Sequence, residues 1–193
     1  MAAITHQDVP ARDAMERYRS YLMVLARIEV DPRLQRNLDV SGVVQETFLE
    51  AHQNWAQFHG KSQAELSAWL RQILAHNLAD ALRALRRDKR DIGRERPLEA
   101  SLGNSSARLG DFLATNQSSP SQGMQREERA VAVAGALAQL PDAQHEALVL
   151  QHWHGWSLAE IARHMNRTPA AVAGLLKRGL KELRTLLHET PKA

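Results

Sequence analysis

The chain has 193 residues, enough for one domain or two small ones. Hydrophobic residues make up 44% and charged residues 24%, which excludes a disordered chain, a collagen and a membrane bundle. Cysteine is absent, excluding a disulfide framework, a cysteine zinc site and a thiol nucleophile, and the formal charge of +3 is too small by itself to name a partner.

The first ten residues, MAAITHQDVP, lack a basic start followed by an apolar core, so no signal peptide is expected. No stretch approaches the roughly 18 apolar residues of a membrane span, and the expected location is the cytoplasm. A first helix is predicted over Asp13 to Ile28, with Tyr18, Leu22 and Leu25 inward, ended by Asp31-Pro32. Val44, Phe48, Ala51 and Trp55 recur at spacings of four, three and four, the stripe of a second helix. Ser62 and Glu65 form a capping box that opens a long helix striped by Leu70, Ile73, Leu74, Leu78, Ala81, Leu82 and Leu85.

Residues 97–125 contain eleven Gly, Pro or Ser among 29 and only three charges, the composition of a flexible linker. Beyond it, Val131, Ala134, Leu137, Ala138 and Leu140 predict one helix closed by Pro141. Leu148, Val149, His152 and Trp153 predict the next, closed at Gly155. Ser157 and Glu160 form a second capping box before Leu158, Ile161, Ala162 and Met165. Asn166 suits a left-handed turn, Thr168 an N-cap and Pro169 the first helical position. The last helix carries Val172, Leu175, Leu176, Leu180, Leu183 and Leu187 on one face and Lys177, Arg178, Lys181 and Arg184 on the other. With no sustained alternation and 5% aromatics, the expectation is an all-α protein with no sheet.

The net charge hides blocks: residues 1–70 sum to −2, 71–96 to +4, 97–162 to −4 and 163–193 to +5. Across residues 157–184 a short capped helix, a three-residue turn and a helix with a basic face make a helix-turn-helix pattern, and its basic helix lies in the last block. Thr168, Ala170, Ala171, Ala173 and Gly174 offer few hydrogen bonds to base edges, while Lys177, Arg178, Lys181 and Arg184 suit phosphates. The other positive block adds Arg71, Arg83, Arg86, Arg87, Lys89 and Arg90, with Trp55, Phe58 and Trp69 just upstream. Aromatics beside basic residues suit single-stranded bases, although Trp55 and Trp69 are expected chiefly as core residues. A solvated basic face is the plainer reading of each block.

Two stretches carry a family resemblance. LDVSGVVQETFLEAHQNWAQFHGKSQAELSAWLRQILAHNLADALR and LPDAQHEALVLQHWHGWSLAEIARHMNRTPAAVAGLLKRGLKELR together resemble bacterial RNA polymerase sigma factors of the extracytoplasmic-function (ECF) group. The resemblance implies two small helical domains on a flexible linker: a region 2-like domain over 10–96, a linker over 97–125 and a region 4-like helix-turn-helix domain over 126–188. It implies a promoter-specificity subunit that binds core polymerase and helps melt DNA, with no catalysis of its own.

Asp39, Val43, Gln45, Glu46 and Leu49 match the polymerase-binding segment. Gly42 departs from the acidic residue often found there, and Asp39 is a candidate to supply that charge. His59, Lys61, Ser62, Asn77, Asp80, Arg83, Arg86 and Arg87 match the segment that holds the melted −10 strand. Arg167, Thr168, Ala170, Ala171, Ala173, Lys177, Arg178 and Lys181 match the −35 reader, where many members carry Lys or Arg near Ala173. The implied partners are core RNA polymerase, promoter DNA (duplex at −35, melted at −10) and, as a further candidate class, an anti-sigma factor. No membrane and no cofactor is implied.

At about 5–6 Å × √n the linker has an r.m.s. span of roughly 30 Å. Stretched, it can bridge elements about 50–70 Å apart. The alternative is a helix-turn-helix regulator that binds duplex DNA without being a polymerase subunit. No metal site is expected, since His152 and His154 diverge by about 200° on a helix and His164 stands apart. No enzyme motif is found.

Overall fold

The structure, a computed structural model, describes residues 15, 17–89, 98–113 and 122–189. Every regular element among them is helical. The chain runs through α1 (Arg19–Glu29), a one-turn α2 (Pro32–Gln35), α3 (Val40–Gln53), a 3₁₀ turn (Trp55–Gln57) and α4 (Gln63–Lys89). It continues through α5 (Leu98–Asp111), α6 (Gln122–Gln139), α7 (Asp142–His152), α8 (Leu158–His164) and α9 (Pro169–Glu189). No helix of the described residues is long and apolar enough to cross a membrane.

Most helix ends follow from local chemistry. The Asp31 carboxylate accepts from the Arg33 N–H and Pro32 opens α2, so α1 stops where Asp31-Pro32 predicts; Asp13 lies outside the described residues. The Ser62 hydroxyl accepts from the Glu65 N–H at 3.2 Å while the Glu65 carboxylate accepts from the Ser62 N–H at 2.9 Å. That carboxylate also takes the Lys61 N–H at 2.7 Å, and these bonds hold it below the usual carboxylate range, Lys61 contributing most. Ser157 and Glu160 repeat the reciprocal pair at α8. Asn166 has φ 52° in the turn between α8 and α9 and Gly155 has φ 69°, both left-handed as their residue types allow.

The main core gathers Tyr18, Leu22 and Leu25, then Val44 and Ala51 of α3 and Leu70, Leu74 and Leu78 of α4. It does not stop at the first half. Leu102 and Leu109 of α5, Ala134 and Leu137 of α6, Leu148 and Trp153 of α7 and Leu183 of α9 belong to the same cluster. A smaller cluster of Ala147, Leu150, Ile161, Ala162, Val172 and Leu175 builds the helix-turn-helix. The protein is thus all-α with two helical subdomains, and α7 faces both clusters. On α6 the buried face is set by Val133, Ala134, Ala136 and Leu137; Val131 is half-buried and Ala138 is exposed, a small rotation from the predicted stripe.

The expected flexible linker is corrected over much of its length: Leu98–Asp111 is helix α5. Leu98, Leu102, Ser105, Leu109 and Phe112 recur at four, three, four and three, a stripe that composition alone concealed. Leu102 and Leu109 are fully buried, each contributing about 1.5–3 kcal/mol, which offsets ordering of a polar helix. A Cβ at Gly110 would lie 2.3 Å from the Arg126 carbonyl oxygen, so only glycine permits this approach of α5 to α6. Leu113, two residues past the end of α5, has φ 60°.

Polar contacts bind α5 on three sides. Ser101 and Ser105 each donate to the Glu29 carboxylate at 2.6 Å. Arg108 Nη2 donates to the His152 carbonyl at 2.7 Å, covering an open carbonyl at the end of α7. Ser106 joins a network centred on Glu127 of α6. Arg71 forms an ion pair with Glu127, Ser67 donates to it at 2.7 Å, and the Tyr21 hydroxyl lies 2.8 Å from Ser106 and 2.9 Å from Glu127. Burial pushes the Tyr21 phenol far above its ordinary pKa.

His145 of α7 is buried, with Nδ1 3.3 Å from Arg27 Nη1. Arginine only donates, so Nδ1 accepts and Nε2 carries the proton. Burial, with Arg27 second, lowers the His145 pKa from 6.5 to about 4. Because the folded value lies below the unfolded one, the unfolded chain binds more protons between them. Stability is full above about pH 6.5 and falls, by up to about 3 kcal/mol, as pH drops toward 4. Urea midpoints measured from pH 7.5 to 4.5 should fall on acidification for the native chain and fall less for His145→Gln.

Candidate nucleic-acid interface

The α3 surface is built by its N-cap. The Asp39 carboxylate accepts from the Gly42 N–H at 2.9 Å, and a Cβ at position 42 would lie 2.6 Å from Asp39 Oδ2. The glycine that departs from the family pattern is therefore what lets Asp39 fold over the helix start, bringing a carboxylate to that spot. Gln45, Glu46 and Leu49 are exposed, and Leu49, at 52%, is the exposed large hydrophobic side chain among the described residues. Val43, matched to the same surface, instead lies in the core; one residue's rotation from Gly42 turns it inward.

The second surface follows α3. Phe58 stacks on Trp69 at 5.0 Å between ring centroids, with Trp55 5.5 Å from Phe58 and 6.1 Å from Trp69. All three rings are half-buried and packed against the core. A Cβ at Gly60 would lie 2.3 Å from the Phe58 ring, so the loop closes tightly over that ring and leaves His59 and Lys61 exposed on either side. Ser62 is occupied by its capping box.

Along α4 the predicted residues separate. Asp80 and Arg83 are exposed and paired at 2.7 Å. Asn77 turns toward α3, with its amide 3.2 Å from the Glu50 carboxylate and 3.4 Å from the Thr47 hydroxyl, so its donor is engaged within the fold. Arg71 leaves the basic face altogether for Glu127. Arg86 and Arg87 lie on α4, with side chains outside the described residues, and Arg90 lies outside them entirely.

The third surface is the start of α9. Thr168 caps it, its hydroxyl accepting the Ala171 N–H at 3.2 Å. Arg167, Thr168, Ala170, Ala171, Ala173, Lys177, Arg178 and Lys181 are all exposed, while Val172, Leu175 and Leu183 face the cores. Ala170, Ala171, Ala173, Lys177, Arg178 and Lys181 therefore lie on the solvent-facing side of α9, with Arg167 and Thr168 exposed in the turn ahead of it. The histidines are dispersed: His164 Nε2 lies 3.1 Å from Glu146, His152 packs edge-on against Phe112, and the pKa values of His152 and His154 are lowered chiefly by burial. No group of three or more metal-ligating side chains assembles among the described residues.

Sequence reasoning missed Ser106, Arg108 and Glu127, which tie α5 to its neighbours. The leucine stripe of α5 was the available signal.

Comparison with known proteins matches two family models: Sigma-70 region 2 over residues 15–88 and Sigma-70, region 4 over residues 130–183. The curated relative "ECF RNA polymerase sigma factor SigG" of Mycobacterium tuberculosis, in strains CDC 1551 / Oshkosh and ATCC 25618 / H37Rv, is 30% identical. The match covers 77% of this chain and 42% of the relative, so the chain spans under half the length of those relatives. Among solved structures, the sigma factor RpoE in complex with the anti-sigma factor NepR from Bartonella quintana is 19% identical, covering 93% of this chain and 95% of that one. Its TM-score is 0.32, too low to bear on the arrangement of these helices.

Proposed function

Because the chain belongs to the ECF group of RNA polymerase sigma factors, with regions 2 and 4 in order, we propose that it binds core RNA polymerase and directs it to promoters. Sigma factors are not catalytic, and the roles here are binding and positioning. The observation that carries the reading is the pairing, in one chain, of an exposed small-residue and basic face on α9 with an exposed aromatic-lined loop ahead of α4.

Gln45, Glu46 and Leu49, with the Asp39 carboxylate beside them, form the polymerase-binding face. His59 and Lys61 flank the Phe58 loop, which receives an unstacked base of the −10 element. Extruding a base costs a few kcal/mol, and contacts to α4 and to polymerase offset that cost. Arg83, Arg86 and Arg87 neutralise the strand's phosphates. Asn77, held by Glu50 and Thr47, joins only if that bond is exchanged. Lys177 and Lys181 hold duplex phosphates at the −35 element, with Arg178 on the same face, while Ala170, Ala171 and Ala173 lie along the groove. An anti-sigma factor is a candidate regulator.

Engaging both elements requires opening. A folded chain of this length has a radius of gyration of about 16 Å and so measures about 40 Å across. The two elements lie about 50–70 Å apart. Helical α5 spans about 21 Å, against roughly 46 Å when extended. Both readers reach their elements once α5 leaves α1 and α6.

Run-off transcription with core polymerase on a genomic fragment library is the primary test. Specific transcripts are expected, whereas duplex binding without any association with core polymerase would favour a stand-alone regulator. Replacing Arg83, Arg86 and Arg87 with alanine should slow open-complex formation and flatten its salt dependence, by about 0.7 per lost phosphate contact to single strand in log–log slope. An unchanged slope would remove α4 from the strand-binding surface.

A further inference from the structure

On α9 the base-facing stretch is chemically sparse. Ala170, Ala171 and Ala173 present methyl groups, and the Thr168 hydroxyl already accepts from Ala171. At about 100° per residue, Ala170 and Gly174 point nearly opposite Val172, which is fully buried. Glycine in the middle of a 21-residue helix is unfavourable relative to nearly any other residue, so its presence at 174 calls for a reason.

Arg178 supplies it. Its side chain runs back toward the helix start, as helical side chains do, and its guanidinium lies against the bare backbone at Gly174. A Cβ at Gly174 would lie 3.1 Å from Arg178 Nη1 and 3.7 Å from both Cζ and Nη2. That distance is tighter than ordinary van der Waals contact, so a Cβ at 174 displaces the guanidinium by a few tenths of an ångström and a longer side chain displaces it further.

The geometry points to Gly174 as a positioning residue for Arg178: it seats the guanidinium one turn toward the start of α9, among the alanine methyls, where its planar fork meets a guanine edge in the duplex. This rests on the promoter-reading role proposed above. A guanidinium is suited to the place because it donates two parallel hydrogen bonds, as guanine O6 and N7 require. Seating it against the helix also lowers the freedom it loses on binding. Lys177 and Lys181, on flexible stems, remain phosphate contacts.

The test uses the full chain with core RNA polymerase and a promoter pool randomised across the −35 element, sequenced after binding. The native chain should enrich a motif containing a guanine. Arg178→Ala should lose that guanine's enrichment about tenfold and leave the other positions in place. Gly174→Leu should lose the same position by a similar factor, and Gly174→Ala by a smaller one.

Both Gly174 variants should keep or raise the thermal midpoint, since leucine and alanine favour helix more than glycine does. A loss of discrimination accompanying a gain in stability is not what a structural role produces. Gly174→Leu should have no further effect in an Arg178→Ala background, because the effect passes through the guanidinium. Unchanged enrichment in Gly174→Leu, or an added loss in the double variant, would overturn the assignment while leaving promoter reading intact. A native chain that enriches no motif would overturn promoter reading itself, and this assignment with it.

Discussion

Replacing Glu127 with alanine should destabilise the protein by about 2–4 kcal/mol. The substitution leaves Arg71 mostly buried, its side chain 15% exposed, without the carboxylate that neutralises it. It also removes the acceptor shared by Ser67, Ser106 and Tyr21, so three further polar groups lose a partner at once. The figure sits below the cost of breaking a fully buried pair because Arg71 and Glu127 keep some contact with water. At about 2–4 °C per kcal/mol for a chain of this size, the thermal midpoint should fall by roughly 4–16 °C.

Arg71→Met should cost less than Glu127→Ala, since it leaves a carboxylate still bonded by the Ser67, Ser106 and Tyr21 hydroxyls. Thermal denaturation of both variants checks the order. A Glu127→Ala midpoint within a degree of the native one would mean that α6 is held by its apolar face alone. Loss of the network should also loosen α5, read as faster amide exchange at Leu102 and Leu109.

Leu49→Glu should weaken binding to core polymerase about thirtyfold or more, the loss typical of a central apolar anchor in an interface. Leu49 is 52% exposed and belongs to neither core cluster, so the thermal midpoint and the far-ultraviolet circular dichroism should change little. Glu46→Lys, on the same exposed side of α3, should reduce affinity in a salt-dependent manner and leave the fold equally intact. Val43→Ala makes the contrasting case: Val43 is buried, so its loss should lower stability by about 0.5–3 kcal/mol and change polymerase affinity little. Sedimentation or fluorescence titration with purified core enzyme separates the three. Native affinity in Leu49→Glu would move the interface off α3.

Much of the fold was legible one helix at a time. Both capping boxes, the Asp31-Pro32 break, the left-handed Asn166 and the Thr168 N-cap stand where the residues imply, because each closes within a few positions along the chain. The region 4-like surface was legible for the same reason: on a lone amphipathic helix, the residues opposite Val172, Leu175 and Leu183 must face solvent. The α4 surface was less legible. Arg71 and Asn77 share the helix with Arg83, and only contact with α6 and α3 distinguishes an arginine or amide drawn inward from one left outward.

By itself, then, the sequence determined an all-α chain, several of its helix ends, the helix-turn-helix and the sigma family, all carried by spacings of three and four residues or by contiguous motifs. Only the tertiary structure decided that Leu98–Asp111 is a docked helix, that one core runs from α1 through α7 to α9, and that Asp39 occupies the space above Gly42. The physical reason is range. Composition describes what a segment can do alone, and a Ser- and Gly-rich segment alone cannot offset its ordering entropy. Here Ser106 and Leu109 find partners such as Tyr21, 85 residues away from Ser106, and those partners make the helix stable.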